Sequence, residues 1–202
     1  MLSLRKNFLY IHIPKTGGNS VQLALKDYSS DYFYIVKGKH DGINNFCVRN
    51  RKYNTKKHTT LRVWHNKLSD EVFDELFKFT IVRNPWDRMI SQFFWKQPLS
   101  KAERTWNRDG FIREIKRGKR ISYFLKINEN DDLLDNINFV LRFENLQQDF
   151  YELCDKLDLR KSELFHVNRS VHDDYKKYYD NELVDMVSSK FDEEIKIFGY
   201  EF

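Results

Sequence analysis

The segment IHIPKTGGNS, residues 11–20, follows an apolar run and combines the groups that bind an anion. Two adjacent glycines, Gly17 and Gly18, allow backbone conformations that other residues disfavour and let a ligand approach bare N–H groups. Lys15 adds a positive charge, and three polar side chains complete the set: Thr16, Asn19 and Ser20. The apolar residues that follow predict a short helix whose N-terminal N–H groups and dipole point to the same place. A phosphate-like ligand is therefore expected.

A second stretch, IVRNPWDRMIS at residues 81–91, has the same logic with different residues. A predicted strand ends at Arg83, Asn84 and the next proline begin a helix, and Ser91 lies two turns along it. The guanidinium of an arginine fits a phosphate, and a helix-borne hydroxyl adds a further bond. The alternative is that Arg83 only pairs with Asp87. Two such loops at the carboxyl ends of strands suit a ligand with two separated anionic groups.

The order of residues in the first loop disfavours ordinary ATP binding. The Walker A pattern GxxxxGK[ST] places the lysine after the glycines, whereas Lys15 precedes them here. Basic residues are also concentrated at 37–62 and 113–120, and the net charge is +5. These stretches are either solvated surface or surfaces that face an acidic substrate.

Composition limits the fold and the cellular setting. The 202 residues are 41% hydrophobic and 16% aromatic, which is enough for a substantial core, and no linker divides them, so we expect a single domain over 1–202. We expect no signal peptide and no transmembrane segment, because no long apolar stretch occurs. Two cysteines fit reduced thiols in the cytoplasm and predict no metal site.

Strand-like and helix-like segments alternate along the chain. The apolar runs predict strands at 7–13, 31–37, 77–83 and 137–143. Helices are predicted at 20–28, 69–77, 85–94, 146–157 and 182–198, with Ser69, Asn84 and Asp180 as caps and Gly199 as a stop. This alternation favours an α/β fold with a mostly parallel central sheet flanked by helices.

Six blocks, in their order, resemble a known family. They are IHIPKTGG with the following Ser20, HTTLR, FKFTIVRNPWDRMIS, FVLRFENLQQDF, HVNRS with DYKKYYD, and IFGYEF. Together they resemble the bacterial-type carbohydrate sulfotransferases, relatives of the heparan sulfate 2-O-sulfotransferases. The resemblance implies a P-loop-like sulfotransferase architecture and 3′-phosphoadenosine 5′-phosphosulfate (PAPS) as the sulfuryl donor, with PAP as product and no metal.

The resemblance also implies roles for individual residues. The 5′-phosphosulfate would be held by the first loop, which comprises Lys15, Thr16, Gly17, Gly18, Asn19 and Ser20. The family more often has threonine at the position of Asn19, but an amide also donates to an oxyanion. Arg83 and Ser91, at the family's spacing, would hold the 3′-phosphate. Ser170 in HVNRS is a weaker candidate for the donor site, because the family brings this late segment near the nucleotide.

His58 in KKHTTLR is the candidate general base, with Lys15 as the second catalytic residue. A histidine in a lysine-rich loop is by itself more often a solvated bystander, and the resemblance to the family's His-Ala-Thr block assigns it the acceptor proton. The acceptor would be a carbohydrate hydroxyl, with which Trp64, Trp95 and Trp106 could stack unless they are core. The basic stretches permit an anionic glycan, and no nucleic acid is expected. An ATP-dependent kinase-like enzyme and a noncatalytic polyanion-binding module are the alternatives.

Overall fold

Seven strands form two sheets in the computed structural model, which describes residues 1–36, 45–97, 105–165 and 174–202. The larger sheet has the order β1-β2-β6-β7, in which β1 is antiparallel to β2 and the other two pairings are parallel. The smaller sheet has the order β3-β4-β5 and is antiparallel. The strands are β1 (Leu2–Ser3), β2 (Phe8–Ile11), β3 (Tyr32–Val36), β4 (Asn45–Asn50), β5 (Thr55–Lys56), β6 (Phe77–Val82) and β7 (Phe139–Arg142).

The larger sheet confirms the predicted parallel strands. β2 is buried along its whole length and β6 along nearly all of it, as expected for parallel strands with near-continuous apolar runs. Phe8 lies opposite Phe77 and Phe79 lies opposite Phe139, so β6 is the central element between β2 and β7. The carboxyl ends of these three strands therefore lie at one edge of the sheet.

The strand predicted at 31–37 is present as β3, but it belongs to an antiparallel sheet that was not predicted from the sequence. β3 pairs with β4, and β4 pairs with β5. Four of the five β3 side chains are exposed, which suits a sheet with one face in water better than a doubly covered parallel sheet. Lys37, the last residue of the predicted strand, lies outside the described residues.

Helices flank the larger sheet. One side of its core contains Phe8, Tyr10 and Phe79, which pack with Val21 and Phe150 of two helices that follow β2 and β7. The described helices are α1 (Gly18–Ala24), α2 (Leu61–His65), α3 (Asp70–Glu75), α4 (Pro85–Lys96), α5 (Arg108–Arg117), α6 (Ser122–Leu125), α7 (Leu146–Lys156), α8 (Asn181–Lys190) and α9 (Asp192–Phe198). The fold is mixed α/β with a mostly parallel central sheet, as predicted.

The predicted helix caps are confirmed, and one predicted helix is wrong. The side chains of Ser69, Asn84 and Asp180 accept hydrogen bonds from N–H groups of the helices that they begin. Gly199 ends α9 in the left-handed conformation, with a φ of 62°. The helix predicted over 182–198 is instead two helices, α8 and α9. They meet at Phe191, whose backbone leaves the helical conformation while its side chain is fully buried.

The chain groups into two compact units. The first is Met1–Val82 with Ile121–Val167, which carries both sheets, and the second is Arg83–Arg120 with Asn168–Phe202, which contains α4, α5, α8 and α9. The expectation of a single domain stays a prediction. Among the described residues, no helix combines the length and the apolar character that a membrane span requires.

A buried ion pair joins two helices of the second unit. Nη2 of Arg88 on α4 lies 3.0 Å from Oε1 of Glu194 on α9, and both side chains are only 3% exposed. Arg88 also donates through Nη1 to the carbonyl of Lys119 at 3.3 Å and lies over the ring of Phe191. Since α4 carries Ser91 and begins two residues after Arg83, this pair helps to fix the helix that positions Ser91.

Glu194→Ala should lower the free energy of unfolding by about 3 to 5 kcal/mol, because it leaves the Arg88 guanidinium buried without its counter-charge. Urea unfolding would measure the change. Asp192→Ala is the matched control, since it removes an exposed i,i+4 partner of Lys196 and should cost no more than about 1 kcal/mol. Equal decreases in the free energy of unfolding for the two variants would contradict a structural role for the ion pair. The double variant Arg88→Met/Glu194→Met should recover most of the stability that Glu194→Ala loses, because it leaves no buried charge.

Candidate active site

The loop between β2 and α1 has a left-handed backbone at two positions. The φ angles are 68° at Lys15 and 80° at Gly17. Backbone turns of this kind direct successive N–H groups toward one concave side, which is an arrangement that binds anions. Thr16, between them, is fully buried, and its hydroxyl donates to the carbonyl of Ile13 at 2.9 Å. The hydroxyl of Thr16 therefore stabilises the loop, and only the backbone N–H of this residue remains to donate to an anion.

Gly18 lies directly against the end of β2. A methyl group at this position would overlap the hydroxyl oxygen of Tyr10 and would lie 2.5 Å from Nε2 of His12. At Gly17 a methyl group would lie 2.8 Å from the ring of Phe143 and 2.9 Å from Leu146. Both glycines therefore lie where a side chain would collide with the core. The pair predicted from the sequence to allow close approach of a ligand also allows close approach of the helix to the sheet.

A buried polar cluster lies beneath Gly18. Nδ1 of His12 is 3.0 Å from Oε1 of Gln22, which accepts only, so we assign the His12 proton to Nδ1. The ring of His12 also stacks on that of Tyr10, with 5.5 Å between the ring centres. Burial, with smaller contributions from His58 and Lys57, holds the pKa of His12 well below its ordinary value. His12 is therefore a neutral, packed side chain.

His58 is oriented by the backbone of this cluster. Its Nδ1 lies 3.0 Å from the carbonyl oxygen of His12, and because a carbonyl can only accept, Nδ1 must carry the proton. Nε2 is then the unprotonated nitrogen, which is the atom that a general base needs. A tight turn holds the residue, with the N–H of Thr59 donating to the carbonyl of Lys56 at 3.0 Å and the N–H of Lys56 donating to the Thr59 hydroxyl at 2.8 Å.

The surroundings of His58 favour its neutral form. Burial is the largest cause that lowers its pKa, and the charges of Lys57 and Lys15 lower it further, while the hydrogen bond to His12 raises it. The side chain retains substantial exposure to solvent, which limits the size of the shift. Burial also lowers the pKa of Lys57 to about 8. The site therefore places a neutral imidazole near the charge of Lys15.

Arg83 and Ser91 belong to the second unit. Arg83 follows β6 directly in the chain, and its Nε donates to Asp87 at 2.7 Å, so the ion pair considered from the sequence is present. An arginine carries five N–H donors, so this pair is compatible with phosphate binding. Ser91 lies on the buried side of α4 and is 1% exposed.

The remaining predicted site residues have varied positions. Asn19 and Ser20 lie in the first turn of α1, where the N–H of Ser20 donates to the carbonyl of Gly17 at 3.1 Å. Ser170 lies outside the described residues. Trp64 is core, being 1% exposed, whereas Trp95 is 45% exposed. No group of three His, Cys, Asp or Glu side chains within the described residues could hold a metal ion.

Two polar side chains of this region, Tyr10 and Gln22, are not among the residues predicted from the sequence. Their Oη and Nε2 atoms are buried and have no hydrogen-bond partner among the described residues. Helical periodicity could have identified Gln22, because Gly18, Val21 and Leu25 are its buried neighbours at the spacing of one helix face. No local signal marked Tyr10, since an aromatic residue in an apolar strand is the usual core residue.

Comparison with known proteins identifies the family. A family model described as the sulfotransferase family matches residues 1–201. The chain belongs to the sulfotransferase family. It is also similar to an uncharacterized protein of Archaeoglobus fulgidus (strain ATCC 49558), with 25% identity over 116 residues that cover 55% of this chain and 92% of that protein. No solved structure matches the chain.

Gly18→Ala should destabilise this sulfotransferase by about 2 kcal/mol or more, because neither Tyr10 nor His12 can move out of the closely packed core. Thermal and urea unfolding would measure the loss. Gly199→Ala is the matched control: the space around that position is open, so only the left-handed backbone opposes the change, at about 1 kcal/mol. A Gly18→Ala protein as stable as the parent would show that α1 can move away from β2.

Proposed function

We propose that this sulfotransferase transfers a sulfuryl group from PAPS to a hydroxyl of a carbohydrate acceptor. The observation that carries the proposal is the hydrogen bond from Nδ1 of His58 to the carbonyl of His12, beside the loop of Lys15. It combines an oriented, neutral base with a loop whose backbone suits an anion. These are the two requirements of a displacement at a sulfuryl group: a base for the incoming hydroxyl and positive groups for the departing oxygen.

The first loop fits the 5′-phosphosulfate of the donor. Two left-handed residues shape its backbone, Gly18 keeps it free of a side chain, and Lys15 supplies a cation. In this proposal the loop is a P-loop-like cradle. Lys15 stabilises the negative charge that grows on the bridging oxygen as its bond to sulfur breaks, and the same loop holds the phosphate in line with the acceptor.

His58 receives the proton of the acceptor hydroxyl. As the hydroxyl oxygen forms its bond to sulfur, its proton moves to Nε2, and the hydrogen bond at Nδ1 stabilises the resulting imidazolium through the carbonyl of His12. The electron pair of the broken sulfur–oxygen bond remains on the phosphate that leaves. The lowered pKa of His58 keeps it able to accept a proton at neutral pH.

The 3′-phosphate of the donor is assigned to Arg83 and Ser91 by the family resemblance. The guanidinium suits this phosphate because its fork of N–H groups matches two phosphate oxygens. Asp87 holds Nε of Arg83 at 2.7 Å and thereby fixes the direction of the guanidinium.

The donor assignment predicts selectivity for a 3′-phosphate. Calorimetry should show tighter binding of 3′,5′-adenosine bisphosphate than of ATP. Arg83→Ala should weaken binding of the bisphosphate by about 10- to 100-fold, since a charge-assisted hydrogen bond contributes roughly 1.5 to 3 kcal/mol, and should leave the affinity for adenosine 5′-phosphate almost unchanged.

Arg117→Ala is the matched control for this variant, because Arg117 is an exposed arginine at the end of α5 and its loss should alter neither affinity. Thermal unfolding of Arg83→Ala would show whether the loss of its pair with Asp87 disturbs the fold. Equal or stronger binding of ATP would support the kinase-like alternative and reject PAPS. Equal losses for both adenosine nucleotides in Arg83→Ala would remove Arg83 from the 3′-phosphate.

His58→Ala should bind the donor nucleotide as tightly as the parent and lose about two to four orders of magnitude in single-turnover rate, the range of general base catalysis. The rate is measured on a glycan selected from a panel with radiolabelled donor. Because the neutral form is active and the pKa of His58 is lowered, the parent rate should rise with pH through a midpoint below about 6.5 and level off by neutral pH.

The rise with pH should be absent in His58→Ala. His65→Asn is the matched control, because His65 has no role in the proposed proton transfer. Its ring packs edge-on against that of Phe73, with 4.9 Å between the ring centres. It should retain both the parent rate and the parent pH profile. A rate for His58→Ala near that of the parent would exclude His58 as the base.

A further inference from the structure

Residues from two other segments hold the first turn of α4. The side chain of Asn84 caps the helix, because its Oδ1 accepts from the N–H groups of Trp86 at 3.0 Å and Asp87 at 3.4 Å. Its Nδ2 donates to the carbonyl of Glu201 at 2.9 Å. One amide therefore ties the start of α4 to the segment that follows α9.

Tyr179 makes a second contact with this turn. Its hydroxyl donates to the carbonyl of Trp86 at 2.9 Å. A backbone carbonyl has two lone pairs, so this bond is compatible with a helical hydrogen bond to the same oxygen. Burial raises the pKa of Tyr179, and the negative charge of Asp87 raises it further. The hydroxyl therefore remains protonated and able to donate, with the carboxylate of Asp87 nearby.

The ring of Phe202 packs against three aromatic rings around the same turn. Its centre lies 5.3 Å from that of Tyr179, 5.8 Å from that of Trp86 and 5.9 Å from that of Tyr175. All three pairs are close to edge-on, which is a favoured geometry for interacting aromatic rings. The residues that hold the turn from outside α4 are called the Trp86 clamp: Tyr175, Tyr179, Glu201 and Phe202.

The turn that the Trp86 clamp holds determines the direction of Arg83. Asn84 is the next residue in the chain, and Asp87, which accepts from Nε of Arg83 at 2.7 Å, follows Trp86. The side chains of Arg83 and Asp87 are only 8% and 17% exposed, so the surrounding protein restricts the pair. Two parallel hydrogen bonds to a phosphate require the plane of the guanidinium to be fixed. Binding groups of this kind must be held within about 0.5 Å of the productive position.

We propose that the Trp86 clamp positions Arg83 for the 3′-phosphate of the donor, an inference that rests on the proposed transfer from PAPS. Tyr179 and Glu201 fix the turn through hydrogen bonds, and Phe202 fixes it by packing. The residues of the clamp act on the guanidinium through the turn and do not themselves contact the nucleotide. The clamp therefore contributes to selectivity for the 3′-phosphate by holding its binding group in place before the donor arrives.

Tyr179→Phe tests the clamp with the smallest change, because it removes one hydroxyl and keeps the ring that packs against Phe202. Calorimetry should show about three- to tenfold weaker binding of 3′,5′-adenosine bisphosphate, since loss of the hydrogen bond lets the turn and the guanidinium move. Binding of adenosine 5′-phosphate, which lacks the 3′-phosphate, should change by less than about twofold. Phe202→Ala should have the same selective effect. Tyr151→Phe is the matched control: it makes the same change in a tyrosine that packs against the core of the first unit, and it should alter neither affinity.

A double-mutant cycle with Arg83→Ala separates positioning from general support of the fold. Because Tyr179 acts through the guanidinium, adding Tyr179→Phe to the Arg83→Ala protein should weaken binding of the bisphosphate by less than about twofold more. A role in general stability would instead weaken the binding of both nucleotides, and its effect would persist in full in the Arg83→Ala protein. Losses that multiply in the double variant would therefore overturn the positioning role.

The outcomes for this inference and for the proposed function are distinguishable. A parent protein that binds the two nucleotides equally well would overturn the donor assignment, and the positioning role with it. If the parent prefers the bisphosphate and both Tyr179→Phe and Phe202→Ala match it in the two affinities, the clamp alone is overturned and the donor assignment stays intact. Thermal unfolding of each variant would verify that the affinities are those of the folded protein.

Discussion

The contact between Gly18 and the end of β2 is the constraint on which the candidate site depends. Only a hydrogen atom fits between the backbone of Gly18 and the side chains of Tyr10 and His12, so α1 begins in close contact with the end of β2. Lys15 and Gly17, in the loop that leads from β2 to α1, both have the left-handed conformation. The same strand end supplies the carbonyl to which His58 donates. The loop that we predict to bind an anion and the proposed base thus both contact the same end of β2.

Much of the fold could be predicted because its signals are local. A cap such as Asn84 acts on N–H groups within three residues, and Gly199 ends a helix through its own backbone. The antiparallel pairing of β3 with β4 could not be predicted from such local signals, because it depends on which residues of the two strands lie opposite each other. The break between α8 and α9 at Phe191 could not be predicted either, because the helical pattern of the sequence is continuous there and the burial of the Phe191 ring is visible only in the structure.

The candidate site divides in the same way. The glycines and Lys15 could be recognised from the sequence because an anion-binding loop is made by neighbouring residues. The orientation of His58 could not be predicted from the sequence. Its hydrogen-bond acceptor is the backbone carbonyl of His12, which is 46 residues away, and no pattern of side chains identifies a backbone acceptor. The buried pairing of His12 with Gln22 is likewise visible only in three dimensions. The roles of these residues in donor binding and proton transfer remain proposals from geometry and resemblance.

The left-handed conformation of Lys15 sets two demands against each other at one residue. In this backbone conformation a residue other than glycine lowers the stability of the fold by about 1 to 2 kcal/mol, and glycine would adopt it without that steric penalty. Only a long basic side chain, however, places an ammonium group at this point of the loop. Engineering this protein for heat resistance would therefore favour glycine at position 15, whereas the proposed sulfuryl transfer requires the strained lysine.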